Sequence, residues 1–227
     1  VLPTIVSRCQ VVPFRHIPAR EAAGILSQKT GVTPQQARIA IEACNGSITR
    51  AMSFAKSAER SEFRARIMEV LANLALSDER DVLEYAAELI ERAKAPLDNV
   101  RTQQSEELAE SADFLTKTAL KQIELRHKRA LSMATRESLN QTTSIIRSWL
   151  RDVLMISSGT PELIVNIDQR EVLERAAQNV TPAGIMSALR EAYKTDETLS
   201  YNVSPETCLD VLLFSIREVL NGSGNPH

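Results

Sequence analysis

Apolar residues recur at three- and four-residue intervals through most of the chain, and the pattern predicts a succession of amphipathic helices. After Pro18, a first-turn residue, Ala22, Ile25 and Leu26 give a stripe to about Lys29, and Gly31 ends it. Thr33-Pro34-Gln35-Gln36 opens the next helix: Thr33 caps, Pro34 stands where no N–H is needed, and Gln36 closes a capping box. Asn45-Gly46 stops it, and Ser47 caps a third helix with Ala51, Phe54 and Ala55 inward. Residues 17–58 therefore read as a three-helix module.

The same period continues. Phe63, Ile67, Val70, Leu71 and Leu74 form one stripe. Ser77 is the expected cap of a helix with Asp78 and Glu79 in its first turn and Val82, Leu83, Ala86, Leu89, Ile90 and Ala93 on its core face, broken by Pro96. Residues 105–136 read as a long charged helix or two helices, with Leu108, Phe114, Leu115, Leu120, Ile123, Leu125 and Leu131 as packing positions. A separate helix is expected over about 138–157, carrying Leu139, Ile145, Ile146, Trp149, Leu150, Val153 and Leu154, with Arg151 and Asp152 facing elsewhere. Gly159-Thr160-Pro161 is a loop. Asp168 and Glu171 form a capping-box pair, Thr181-Pro182 starts the next helix, and Ser204-Pro205-Glu206 the last.

Only the start departs from this period. Thr4, Ile5 and Val6 follow Pro3 and lead into Ser7-Arg8-Cys9, and Val11-Val12-Pro13-Phe14 is another extended scrap. Two such pieces cannot form a sheet alone, so the chain reads as the C-terminal part of a longer protein.

Charge sharpens this division. Residues 1–60 hold eight Lys/Arg against three Asp/Glu, a balance of +5 that leaves −7 for the rest of a chain whose total is −2. A basic first part suits an anionic partner, either a nucleotide phosphate or nucleic acid, although solvated faces can be unbalanced by chance. No run approaches the ~20 apolar residues of a membrane span, and no secretory leader pattern is present. Cys9, Cys44 and Cys208 have neither zinc-site nor disulfide-framework spacing and fit a reduced, cytoplasmic protein. Nine aromatic residues (5 Phe, 3 Tyr, 1 Trp) do not alternate with basic ones as on a single-strand-binding surface. No paired carboxylates, metal ligands or nucleophile–base set stand out, so the metal expectation is none and the fragment by itself is not expected to be an enzyme.

Particular motifs carry a resemblance. LPTIVSRCQ resembles the end of the nucleotide-binding domain of AAA+ clamp-loader subunits, where Ser-Arg-Cys follows a core strand. Phe14 and the three-helix module resemble that family's lid, and NGSITRA (45–51) resembles its Asn-Gly-Ser-Pro-Gly-Arg-Ala motif, with Ile48-Thr49 in place of Pro-Gly. WLRDVL (149–154), Asn166-Ile167-Asp168 and YNVSPETCLDVLLFSIREVL (201–220) resemble the collar of bacterial DNA polymerase III clamp-loader subunits of the delta-prime type.

The resemblance implies an all-α fold: an AAA+ lid three-helix module, then a collar-type helical domain, with a short remnant of the ATPase sheet in front. Its boundaries are 1–16 for the end of the ATPase core, 17–58 for the lid, 59–221 for the collar and 222–227 for a disordered tail. Residues 101–136 fit a compact collar poorly and read as a lineage-specific extension.

It also implies a function. The chain would be a non-catalytic or weakly catalytic clamp-loader subunit that stabilises the loader ring during DNA replication. Arg8, positioned by Ser7 and Cys9, would be an arginine finger reaching the neighbouring subunit's ATP. Arg50, in the first turn of its helix, would sense phosphate. ATP and Mg²⁺ would be held by neighbouring subunits and not by this fragment. The partners would be the gamma/tau and delta subunits and, indirectly, the sliding clamp and primed DNA, with no membrane; the complex as a whole acts with a DNA-directed DNA polymerase. Against these stand plainer readings: Arg8 as a strand-end surface arginine, Arg50 as a salt bridge to a missing ATPase domain, His16 as structural or solvated, Trp149 as core. Two other functions remain open, an ATP-hydrolysing gamma/tau-type subunit and a helical regulatory or scaffold domain unrelated to replication.

Overall fold

A computed structural model describes residues 8–10, 17–111, 114–199, 201 and 203–222. Every regular element among them is helical. The expected strand residues 1–7 and 11–16, with Ser7, Phe14 and His16, lie outside the described residues, as do Asn202 and tail residues 223–227.

The first three helices are α1 (Ala19–Thr30), α2 (Pro34–Ala43) and α3 (Ile48–Lys56). They pack on one another as the compact module the sequence predicts. Thr33 and Gln36 form the reciprocal capping box. Gly31 (φ 74°) ends α1, while Asn45 (φ 50°) and Gly46 (φ 78°) turn the chain out of α2. Ser47 occupies the N-cap of α3, but its side chain makes no capping hydrogen bond.

Next come α4 (Ala58–Asn73), α5 (Glu79–Lys94) and α6 (Pro96–Ser111). The cap of α5 is Asp78, which shares a box with Asp81; the hydroxyl of Ser77, the expected cap, donates instead to the Asn73 carbonyl. A carboxylate one residue nearer the helix wins because it accepts from the Asp81 N–H at 2.8 Å.

Residues 117–136 and 138–157, read separately from the sequence, are one 41-residue helix, α7 (Lys117–Ser157), about 60 Å long at 1.5 Å per residue. No Pro or Gly interrupts it. Its two halves live differently. From Leu139 to Val153 it is buried almost all round, with α2, α4, α5 and two later helices against it. Its first half pairs only with α6, in a hairpin that leaves the body. Phe114 (88 % exposed), Leu115 and Leu125 are exposed there, contrary to the packing expected of them; Leu108, Leu120, Ile123 and Leu131 are half-buried. A two-helix hairpin has one shared seam, so residues off that seam meet water.

The remaining helices are α8 (Arg170–Ala177), α9 (Pro182–Leu199) and α10 (Pro205–Leu220). Thr181 and Ser204 cap the last two, as expected. Asp168 does not cap α8: Gln169 holds that position without a side-chain bond. Leu83 on α5 is also exposed, on the far side of a helix whose core face is Val82, Ala86, Leu89, Ile90 and Ala93. One continuous apolar core runs from Ala22 to Leu220 through every helix except α6 and the first half of α7.

Candidate functional site

Where α7 passes the three-helix module, polar residues are buried at a density unusual for a helix interior. Thr142, Thr143, Ser144, Arg147, Ser148 and Asp152 are all less than a tenth exposed. Thr142 bonds back to the Ser138 carbonyl one turn away, and for the others the cost of desolvation is met by bonds that reach residues distant in sequence.

Asp152 is fully buried. Its carboxylate accepts from the backbone N–H of Val165 (3.0 Å) and of Asn166 (2.7 Å), from Asn166 Nδ2 (2.8 Å) and from Arg151 Nη2 (2.9 Å). Far from facing elsewhere, it is the hub that folds the 160–169 loop onto α7. Asn166 Nδ2 also donates to Ser148 Oγ (3.0 Å), and its Oδ1 accepts from Arg64 Nη2 (2.8 Å). Arg64 then grips Asp168 with both arms, at 2.8 and 3.1 Å. The residues singled out as WLRDVL and Asn166-Ile167-Asp168 are thus two sides of one network, joined through α4.

The NGSITRA stretch is tied to α7 in the same way. Asn45 Oδ1 accepts from Ser144 Oγ (3.0 Å) and Arg147 Nη2 (2.8 Å), while Ser144 Oγ also reaches the Glu42 carbonyl (2.8 Å). Arg147 pairs with Asp196 of α9 and lies over the Tyr193 ring, 4.9 Å from its centroid. Arg151 Nη1 reaches Glu42 (3.1 Å), and Gln141 Nε2 donates to Cys44 Sγ (3.4 Å). Burial pushes the Cys44 and Cys208 thiols up from their ordinary range, which keeps them protonated and unreactive.

The proposed site arginines are not brought together. Arg8 is an exposed turn residue beside exposed, free Cys9. Arg50 lies in the first turn of α3, its side chain 41 % exposed, with Nε 3.8 Å from Glu137 of α7. That loose contact joins it to α7, a partner the sequence reading did not name. No group of His, Cys, Asp and Glu among the described residues is placed to hold a metal ion. No helix is long and apolar enough to cross a membrane.

Residues 105–217 match the family described as DNA polymerase III, delta subunit, C terminal. Those residues are similar to a clamp-loader domain. The matched region begins inside α6 and runs through α7 to α10, so it takes in most of the charged stretch that the sequence set aside as an extension, together with the Asp152 network. No characterised protein and no solved structure matches the chain.

Proposed function

We propose that the chain is the lid and collar of a clamp-loader subunit of the delta-prime type, acting in the cytoplasm within the DNA polymerase III assembly. The match over α6–α10 carries this reading. The helical body would hold a ring of loader subunits, and the three-helix module would be the AAA+ lid fixed onto it.

Two arginines take roles in this reading. Arg8, exposed and ahead of the lid, is the finger toward a neighbour's ATP. A guanidinium offers a permanent charge and several fixed donors to the γ-phosphate, which an ammonium does not, and it stabilises charge on the transferring phosphoryl group in trans. Ser7 and Cys9 position it. Arg50 has enough exposed surface to leave Glu137 for a phosphate. ATP and Mg²⁺ belong to neighbouring subunits, with the gamma/tau and delta subunits as direct partners.

The test is the reconstituted loader with clamp and primed DNA. Arg8→Ala is expected to lower DNA-stimulated ATP hydrolysis at one site while assembly, followed by light scattering, stays intact, and Arg8→Lys to recover little. Removing a trans arginine finger costs ~10³–10⁵ in rate in the switch enzymes where it is best known; bulk turnover here should fall less, since other sites keep their own fingers. The delta type is the second reading, because the matching family is described by that subunit. It predicts normal assembly and unchanged hydrolysis in Arg8→Ala.

A further inference from the structure

The α6–α7 hairpin segregates its charges by helix. Between Pro96 and Ser111, α6 carries Asp98, Glu106, Glu107 and Glu110 against Arg101 alone. Between Lys117 and Arg136, α7 carries six Lys/Arg against Glu124 alone. Among the described residues Lys117, Lys121, Arg126, Lys128 and Arg129 form no salt bridge, and all five are exposed.

Their placement on the helix is regular. The seam against α6 holds the half-buried Leu120, Ile123, His127 and Leu131. On the outward side Lys117, Lys121 and Lys128 follow one edge, at intervals of four and seven residues, and Arg126 and Arg129 follow the other. Between the edges lie Thr118, Leu125 and Ser132, all exposed and uncharged. The Thr118–Met133 surface forms an open trough with Leu125 and Met133 as its apolar part.

We propose that this outward face of α7 is a direct binding site for the phosphate backbone of duplex DNA. Two basic edges flanking an uncharged strip suit a helix lying along a groove between two phosphate strands: a helix is about 10–12 Å across and the major groove about 12 Å wide. The cations from Lys117 to Arg129 span about 18 Å, close to five base pairs. The charged edges meet phosphates, which carry no sequence information, so the affinity they supply is independent of sequence. The preference for DNA over an acidic protein segment also rests on the clamp-loader reading.

The experiment is fluorescence polarisation of a labelled 20-base-pair duplex with the 227-residue chain between 50 and 200 mM salt. Five phosphate contacts give a slope of about −4.5 in log K against log salt. Lys121→Glu/Lys128→Glu/Arg129→Glu should weaken binding at least tenfold at 50 mM salt and flatten that slope, while the corresponding Lys→Arg exchanges keep both. Circular dichroism verifies the fold; should the triple variant unfold, the single Lys128→Gln and Arg129→Gln exchanges carry the same test, each lowering the slope by about one. No saturable DNA binding at 50 mM salt, or binding that the charge reversals leave unchanged, overturns the proposal. So does a polyglutamate peptide that binds the face as tightly as the duplex does. Assembly with gamma/tau and delta, measured on the same variants, separates the two readings: loss of DNA binding with intact assembly supports both, and intact DNA binding without assembly leaves this site standing and removes the clamp-loader reading.

Discussion

A carboxylate with no exposed surface is unusual without a compensating set of donors, and Asp152 has four. Its removal strands the backbone N–H groups of Val165 and Asn166 and takes one acceptor from Asn166 Nδ2. Asp152→Ala should therefore destabilise the chain by about 3–5 kcal/mol, read as a lower urea midpoint. Asn45 presents a different balance. Its φ of 50° favours Gly or Asn, and its side chain also bonds α7. Asn45→Ala loses both contributions, whereas Asn45→Gly loses only the bonds. The alanine variant should be the less stable by about 1 kcal/mol, with neither reaching the wild type, as chemical denaturation would show. A glycine variant no better than alanine would mean that the backbone conformation relaxes at no cost.

Helix ends that depend on neighbours in sequence were legible in it. Thr33-Pro34-Gln35-Gln36, Asn45-Gly46, Thr181 and Ser204 all behave as local chemistry dictates. Asp168 and Asp152 were not legible, because their partners Arg64 and Val165 are 104 and 13 residues away. A carboxylate near a helix start resembles a cap whether or not a distant arginine claims it. The hairpin failed for a related reason: a leucine at helical spacing is only a candidate for burial, and Leu125 has no third element to cover it. Of the candidate site, the stretches NGSITRA, WLRDVL and Asn166-Ile167-Asp168 stand out in the sequence, but not their attachment to each other through α7 and α4. Another distant tie joins α5 to α10, where Lys94 Nζ meets Glu206 Oε1 at 2.8 Å. That bond, with one from Ser204, holds the Glu206 carboxyl down at about 2, against 4.5 ordinarily. A folded-state pKa below the unfolded one contributes stability above the unfolded value and loses it as pH falls through the folded one. The melting-temperature advantage of wild type over Glu206→Gln should hold from pH 7 to about 4.5 and shrink steadily toward pH 2. An advantage independent of pH would assign the effect to packing.

In the whole molecule, the three-helix module and the helices that follow it should act as one body. Core residues of α1–α3 and of the later helices belong to one apolar cluster, and the polar links from Asn45 and Glu42 cross the same boundary. Separating the three-helix module would expose core residues and take Asn45 from Ser144 and Arg147, so the module should open together with the body. In the proposed loader, Arg50 then travels with the collar, and any nucleotide-driven movement of an ATPase core must be taken up on the N-terminal side of α1. Trp149 reports on this directly. It is the sole tryptophan, is fully buried, and sits on α7 one turn from both Ile145 and Asp152. Thermal unfolding followed by Trp149 fluorescence should coincide with the loss of far-ultraviolet ellipticity for the body, in a single transition. The first half of α7, outside the core, is the exception: it should fray below that transition as a small early loss of ellipticity without a fluorescence change. Charge reversal at Lys128 and Arg129 should leave the main transition in place. A three-helix module that melted well before Trp149 became exposed would show instead that the hinge lies at Ser57, between α3 and α4, and that Arg50 moves independently of the later helices.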